Sequence, residues 1–161
     1  MPTPLSLNFT LEELTFSQTA ARLGIPNVPS DEQIASLKAL CDNILQPLRA
    51  NLAAPLFVSS GYRSPALNRA VEGASDSQHL LGKAADITCP TMSTDDLFKR
   101  VLQLKLSFDQ LIYEGGKESV WVHVSFDTVG RRGDILRASF PPAGGVLYAS
   151  LTPDQALALQ A

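Results

Sequence analysis

Several residue types are scarce in this chain of 161 residues, which has two cysteines, two histidines and a single tryptophan. Cys41 and Cys89 have no C-x-x-C spacing and build no disulfide framework, so both are expected to be buried free thiols. There is no excess of positive charge. Thirteen Lys and Arg against sixteen Asp and Glu leave a net charge of -3, which supplies no general attraction for phosphate backbones or anionic lipid. Neither nucleic acid nor a membrane is an expected partner. Apolar runs such as Ile44 to Leu48 and Leu104 to Leu106 are brief, far below the roughly 20 residues that cross a bilayer. The start Met1-Pro2-Thr3-Pro4-Leu5 has no basic stretch leading into an apolar one, so no targeting signal is expected.

What is present suits one globular unit. With 45% hydrophobic and 18% charged residues, the chain can bury a sizeable core without disulfide or metal staples. Its length matches a single domain over residues 1–161, expected as a monomer. Thr10 with Glu13 forms a capping box, predicting a short helix from Leu11 to the Gly24-Ile25-Pro26-Asn27 break. Ser30 with Gln33 repeats the device for a longer helix carrying Ile34, Leu37, Cys41, Ile44, Leu45 and Leu48 at the 3.6-residue period, with Pro47 expected to kink or shorten its last turn.

Further along, Pro55 to Ser59 reads as a buried strand, and Ser64-Pro65 caps a helix to about Val71. A polar loop covers Glu72 to Gln78, and Lys83 to Thr88 suits another strand. Ser93 or Thr94 caps a helix bearing Leu97, Val101 and Leu104. Asp109 to Glu114 and Val120 to Phe126 read as a hairpin around Gly115-Gly116-Lys117-Glu118-Ser119. Leu136 to Phe140 is expected as an edge strand, and Thr152-Pro153 opens a terminal helix.

The two histidines stand in suggestive places. His79 ends a Ser/Asp-rich loop, and His123 lies within the strand Val120-Trp121-Val122-His123-Val124-Ser125. Asp86 follows His79 by seven residues in a small, apolar strand, where an unpaired carboxylate is costly to bury. A divalent metal resolves that cost, because two neutral imidazoles and one carboxylate leave the fourth position of a tetrahedral zinc open for water. Gly82 lets the chain turn back between the first two ligands.

Three segments resemble one family. Ser77-Gln78-His79-Leu80-Leu81-Gly82-Lys83-Ala84-Ala85-Asp86 is similar to the S-x-H-x-x-G-x-A-x-D motif of the zinc D-alanyl-D-alanine peptidases. That family includes D,D-carboxypeptidases, dipeptidases and phage endolysins, with the hedgehog signalling domain as a relative. Trp121-Val122-His123-Val124-Ser125 resembles the segment that carries their last zinc ligand, and Ser60-Gly61-Tyr62-Arg63-Ser64 their S-G-Y-R segment. The order is the family's, across about half the chain.

The resemblance implies an α+β fold, with a small antiparallel sheet bearing the zinc site and helices packed mainly on its other face. It implies that His79, Asp86 and His123 hold Zn2+, that Arg63 faces the scissile carbonyl, and that Ser77 binds the substrate's terminal carboxylate. The implied substrate is a peptidoglycan stem peptide, cut by a D,D-carboxypeptidase or endopeptidase, in a phage or prophage lysin or a bacterial cytoplasmic protein. Relatives carry an acidic general base shortly before the last histidine, sometimes at the place that is Val120 here, which leaves Glu114 and Glu118.

Glu114 is the choice, in a Tyr-Glu context like the hedgehog arrangement. It shares a sheet face with His123 if the hairpin loop holds an even number of residues. Trp121 stands where some relatives place a supporting histidine, and its strand parity makes it a wall of the substrate cleft. Two alternatives use the same ligands: a non-catalytic zinc-containing binding or signalling module, and a non-haem iron oxygenase.

Overall fold

The computed structural model describes residues 1–115 and 118–160. Helix α1 (Leu11–Thr15) begins at the Thr10–Glu13 capping box, and α2 (Gln18–Leu23) begins at Ser17, whose hydroxyl accepts from the Ala20 amide. The expected single helix to Gly24 is therefore two. Phe16 is extended, and Ser17 offers the backbone a second cap that outcompetes continuation. Helix α3 (Asp31–Leu40) starts at the expected Ser30–Gln33 box.

Pro47 acts differently from the expected kink. The helix widens to a π-helical turn over Cys41–Leu45, in which the Gln46 amide donates five residues back to Cys41, and resumes as α4 (Gln46–Leu52) with proline in its first turn. The wide turn absorbs the missing N–H of proline before the ring is reached. Cys41, Ile44, Leu45 and Leu48 stay fully buried. Burial pushes the Cys41 thiol up to about 12, and both cysteines are free thiols.

Strand β1 (Phe57–Ser60) follows, then α5 (Pro65–Ala70) capped by Ser64, a 3-10 turn at Gln78–Leu81, and β2 (Ala84–Thr88). Next come α6 (Thr94–Gln103), β3 (Gln110–Gly115), β4 (Val120–Ser125), β5 (Asp134–Ser139), β6 (Leu147–Ser150) and α7 (Pro153–Leu157). The six strands form one sheet in the order β1-β2-β4-β3-β5-β6, antiparallel except for the parallel pair β3/β5. Two expectations change here. β1 is an edge strand with Phe57 exposed, not a buried one, and β5 is interior because β6 pairs on its outer side.

Alternation along the strands separates two faces. Ala85, Ile87, Leu111, Tyr113, Val122, Val124 and Ile135 face a core shared with Leu37, Leu40, Leu97, Phe98 and Val101 from α3 and α6. Asp86, Ile112, Glu114, Trp121 and His123 face the other way. A bulge at Ser59 shifts the β1 register, so that Val58 opposes Ile87 while Ser60 opposes Asp86. The extra residue turns Ser60 onto the Asp86 face.

The parallel pair requires the chain to pass from β4 around the start of β3. Asp109 pins that passage. Its buried carboxylate accepts from the Arg132 backbone amide, from Arg132 Nε and Nη2, and from Gln78 Nε2, at 2.7–3.0 Å. The Arg132 hydrogen bonds hold its pKa down to about 2.

Candidate metal centre and active site

Three elements converge on the polar face of the sheet. Asp86 opposes His123 across the β2–β4 ladder, and the 3-10 turn brings His79 over the same edge. His123 Nδ1 stands 3.0 Å from Asp86 Oδ1, and His79 Nε2 stands 3.3 Å from that same oxygen. The imidazole rings are 5.1 Å apart, centroid to centroid. One ligand atom from each of the three residues lies within 4.8 Å of the others, and all three residues are buried.

Neighbouring groups orient these side chains. His79 Nδ1 donates to the Gly61 carbonyl at 2.6 Å, which leaves Nε2 unprotonated toward Asp86 in the neutral ring. A Cβ at Gly61 would collide with the Leu14 carbonyl, so the close approach that sets this hydrogen bond requires glycine. Gly82, in the left-handed conformation, ends the 3-10 turn and packs against the Gln33 carbonyl. Burial works to raise the Asp86 pKa, but when the imidazoles carry protons on both nitrogens the charge of His79 and hydrogen bonds from both rings outweigh it and hold the carboxyl well below the usual range. Two imidazole nitrogens and a carboxylate oxygen are a donor set suited to zinc, with His79 oriented by the Gly61 carbonyl and Asp86 by Arg63.

Arg63 lies beside the trio. Its Nη2 is 3.2 Å from Asp86 Oδ2, its Nε donates to Ser60 Oγ at 2.9 Å, and its Nη1 reaches Asn68 Oδ1 at 3.4 Å. Asn68 is buried and also donates to the carbonyls of Gly73 and Ala74, which ties the arginine to the loop before Ser77. Ser77 Oγ accepts from the His79 amide at 3.3 Å and lines the cleft. Sequence reading missed Asn68, whose only signal was an amide side chain in an otherwise ordinary capped helix.

Glu114 opposes Trp121, two residues along from the Ile112–His123 pair, so it shares the His123 face. Four residues, 116–119, separate the last paired positions Gly115 and Val120, which is the even loop the parity expectation required. Gly116 and Lys117, expected within the hairpin loop, lie outside the described residues. Glu114 Oε1 is 3.9 Å from His123 Nδ1. Burial and then the neighbouring Asp86 charge raise its pKa. Glu118 is exposed and is not part of the cleft wall.

These groups line one cleft of about 600 Å³ that also takes in Gln110, Ile112, Arg132, Leu136 and Tyr148. Burial, and then the carboxylates of Glu114, Asp76 and Asp86, raise the Tyr148 pKa. The Trp121 ring is 6.1 Å from that of Phe140. Among the described residues no helix is long and apolar enough to cross a membrane.

The family model described as Peptidase M15 matches residues 7–125, a span that holds the trio, Arg63, Ser77, Glu114 and Trp121. No curated protein matches the chain.

Proposed function

The chain belongs to the peptidase M15 family, whose members are zinc peptidases, and from that premise we propose that it hydrolyses an amide bond in peptidoglycan stem peptides. The cut is that of a D,D-carboxypeptidase or an endolysin-like endopeptidase. One observation carries this reading: the His79–Asp86–His123 trio shares a cleft with a partly buried carboxylate, Glu114, and a guanidinium, Arg63.

In this reading His79 Nε2, an Asp86 oxygen and His123 Nδ1 hold the zinc. Three protein ligands are the composition of a catalytic rather than a closed structural site. Zinc held there supplies Lewis acidity, which acidifies water and polarises a carbonyl. Glu114 takes a proton from the attacking water on a carboxylate oxygen and returns it to the leaving amine nitrogen. Its raised proton affinity suits both transfers.

The Arg63 guanidinium supports the carbonyl oxygen as negative charge develops. Its bond to Asn68, at 3.4 Å the longest it makes, is the one most readily exchanged for substrate. Ser77 accepts from the His79 amide, which leaves its O–H to donate to a substrate carboxylate. Trp121 walls the cleft.

Mass spectrometry of purified sacculi digested by the wild-type protein and by Glu114→Gln tests the reading. Wild-type protein is expected to release fragments cut at one type of peptide bond, and Glu114→Gln none while it retains zinc. Undiminished hydrolysis in a strong chelator overturns it.

A further inference from the structure

The cleft has a wall that lies outside the matched residues 7–125. Trp121, Glu114, Ala138 and Tyr148 stand in one row across β4, β3, β5 and β6. Adjacent strands are about 4.8 Å apart, so the small, buried Ala138 forms the floor of a trough between Glu114 and Tyr148. Phe140, just past β5, and Val146, just before β6, line the same cleft beyond this row. Phe140 also meets the Trp121 ring at 6.1 Å.

Phe140, Val146 and Tyr148 are 42%, 40% and 56% exposed. Leu147, between two of them, opposes Ser139 and belongs to the opposite face of the sheet. An exposed apolar cluster beside a reaction centre marks a binding surface more often than a folding requirement.

The geometry points to an apolar side-chain subsite formed by Phe140, Val146 and Tyr148 facing Trp121, which selects peptides with an aliphatic side chain next to the bond that is cut. The subsite rests on the peptidase reading for its occupant. It is built largely from the hairpin of residues 134–150, so that hairpin sets the choice of residue while the matched segment performs the hydrolysis. An acidic side chain is disfavoured there because it loses hydration against aromatic rings.

Trp121 is the only tryptophan in the chain, so intrinsic fluorescence reports occupancy of this wall directly. Zinc-loaded Glu114→Gln protein, which holds peptide without cutting it, is titrated with N-acetyl-D-leucyl-D-leucine, N-acetyl-D-alanyl-D-alanine and N-acetyl-D-glutamyl-D-glutamate. The leucine peptide is expected to bind roughly tenfold more tightly than the glutamate peptide and to change the emission, with the alanine peptide between them. Adding Phe140→Ser and Tyr148→Ser is expected to bring the three affinities within about twofold of one another, with zinc content and melting temperature unchanged.

Should the double substitution disturb folding, Val146→Ser in the same background is expected to lower leucine-peptide affinity and to leave the affinities of the alanine and glutamate peptides within about twofold of their values without it. A preference that survives these substitutions, or equal affinity for all three peptides before them, overturns the subsite. The two readings fail separately. Selective binding without any hydrolysis of sacculi by the wild-type protein removes the peptidase reading, and hydrolysis without selectivity removes only the subsite.

Discussion

Asp86 and His123 face each other across the β2–β4 ladder, and a single oxygen, Asp86 Oδ1, lies 3.0 Å from His123 Nδ1 and 3.3 Å from His79 Nε2. The other oxygen is engaged by Arg63 at 3.2 Å. One carboxylate thus joins the two imidazoles to the guanidinium, and removing any partner leaves buried polar groups unmatched.

Replacing His123 by alanine is expected to lower bound zinc from about one per chain to under about a tenth, since two ligands remain of three. Metal analysis checks this. Thermal melts provide a second measure: chelator is expected to lower the wild-type melting temperature through lost ligand binding and to leave His123→Ala unmoved.

Glu114→Gln keeps the volume and removes the proton acceptor. Hydrolysis is expected to fall by about 10²–10⁴, the usual contribution of a positioned general base, with zinc stoichiometry unchanged. Glu118→Gln, on the exposed side of the hairpin, is expected to change kcat less than about twofold. A peptide-release assay on both variants decides between the two glutamates.

Gly61→Ala forces a methyl group against the Leu14 carbonyl. A loss of about 1–3 kcal/mol in denaturant unfolding is expected from the overpacking. The Gly61 carbonyl also orients His79, so zinc affinity is expected to fall about tenfold or more. Unchanged metal affinity in a folded variant removes the orienting role.

Acid unfolding should expose the lock at the start of β3. Asp109 has a pKa of about 2 in the folded protein, below the ordinary value near 4. A depressed carboxyl contributes stability that is complete above the unfolded pKa and disappears as pH falls from about 4 to about 2. The contribution is about 1–2 kcal/mol after screening around the half-exposed Arg132 is allowed for. Melting temperatures of wild type and Asp109→Asn are expected to differ at pH 6 and to converge toward pH 2.

Much of this was legible in residue order. Caps at Thr10, Ser30, Ser64 and Thr152 placed helix starts, because each hydroxyl accepts from the backbone amide three residues on, within four residues of chain. Strand parity placed Glu114 on the His123 face for the same local reason. Features set by distant partners were not legible. β6 is exposed along its length, so its sequence carries no burial alternation, and only pairing with β5 defines it. The bulge at Ser59 and the second helix at Ser17 depend on competition between near-equal local options, which tertiary packing decides. Asn68 joins Arg63 to Gly73 and Ala74 through contacts that no spacing motif encodes.

The order of strands in the sheet governs when the ion can be captured during synthesis. The partners Asp86 and His123 are 37 residues apart in the chain, and β3, made between them, occupies the far side of β4 in the finished sheet. A nascent chain that has emerged only as far as β3 carries two donors and lacks the third. High-affinity metal uptake therefore waits for β4 to slot between β2 and β3, two strands already made, so that loading follows pairing of the central strands rather than nucleating it, while β5 and β6 are still to be added.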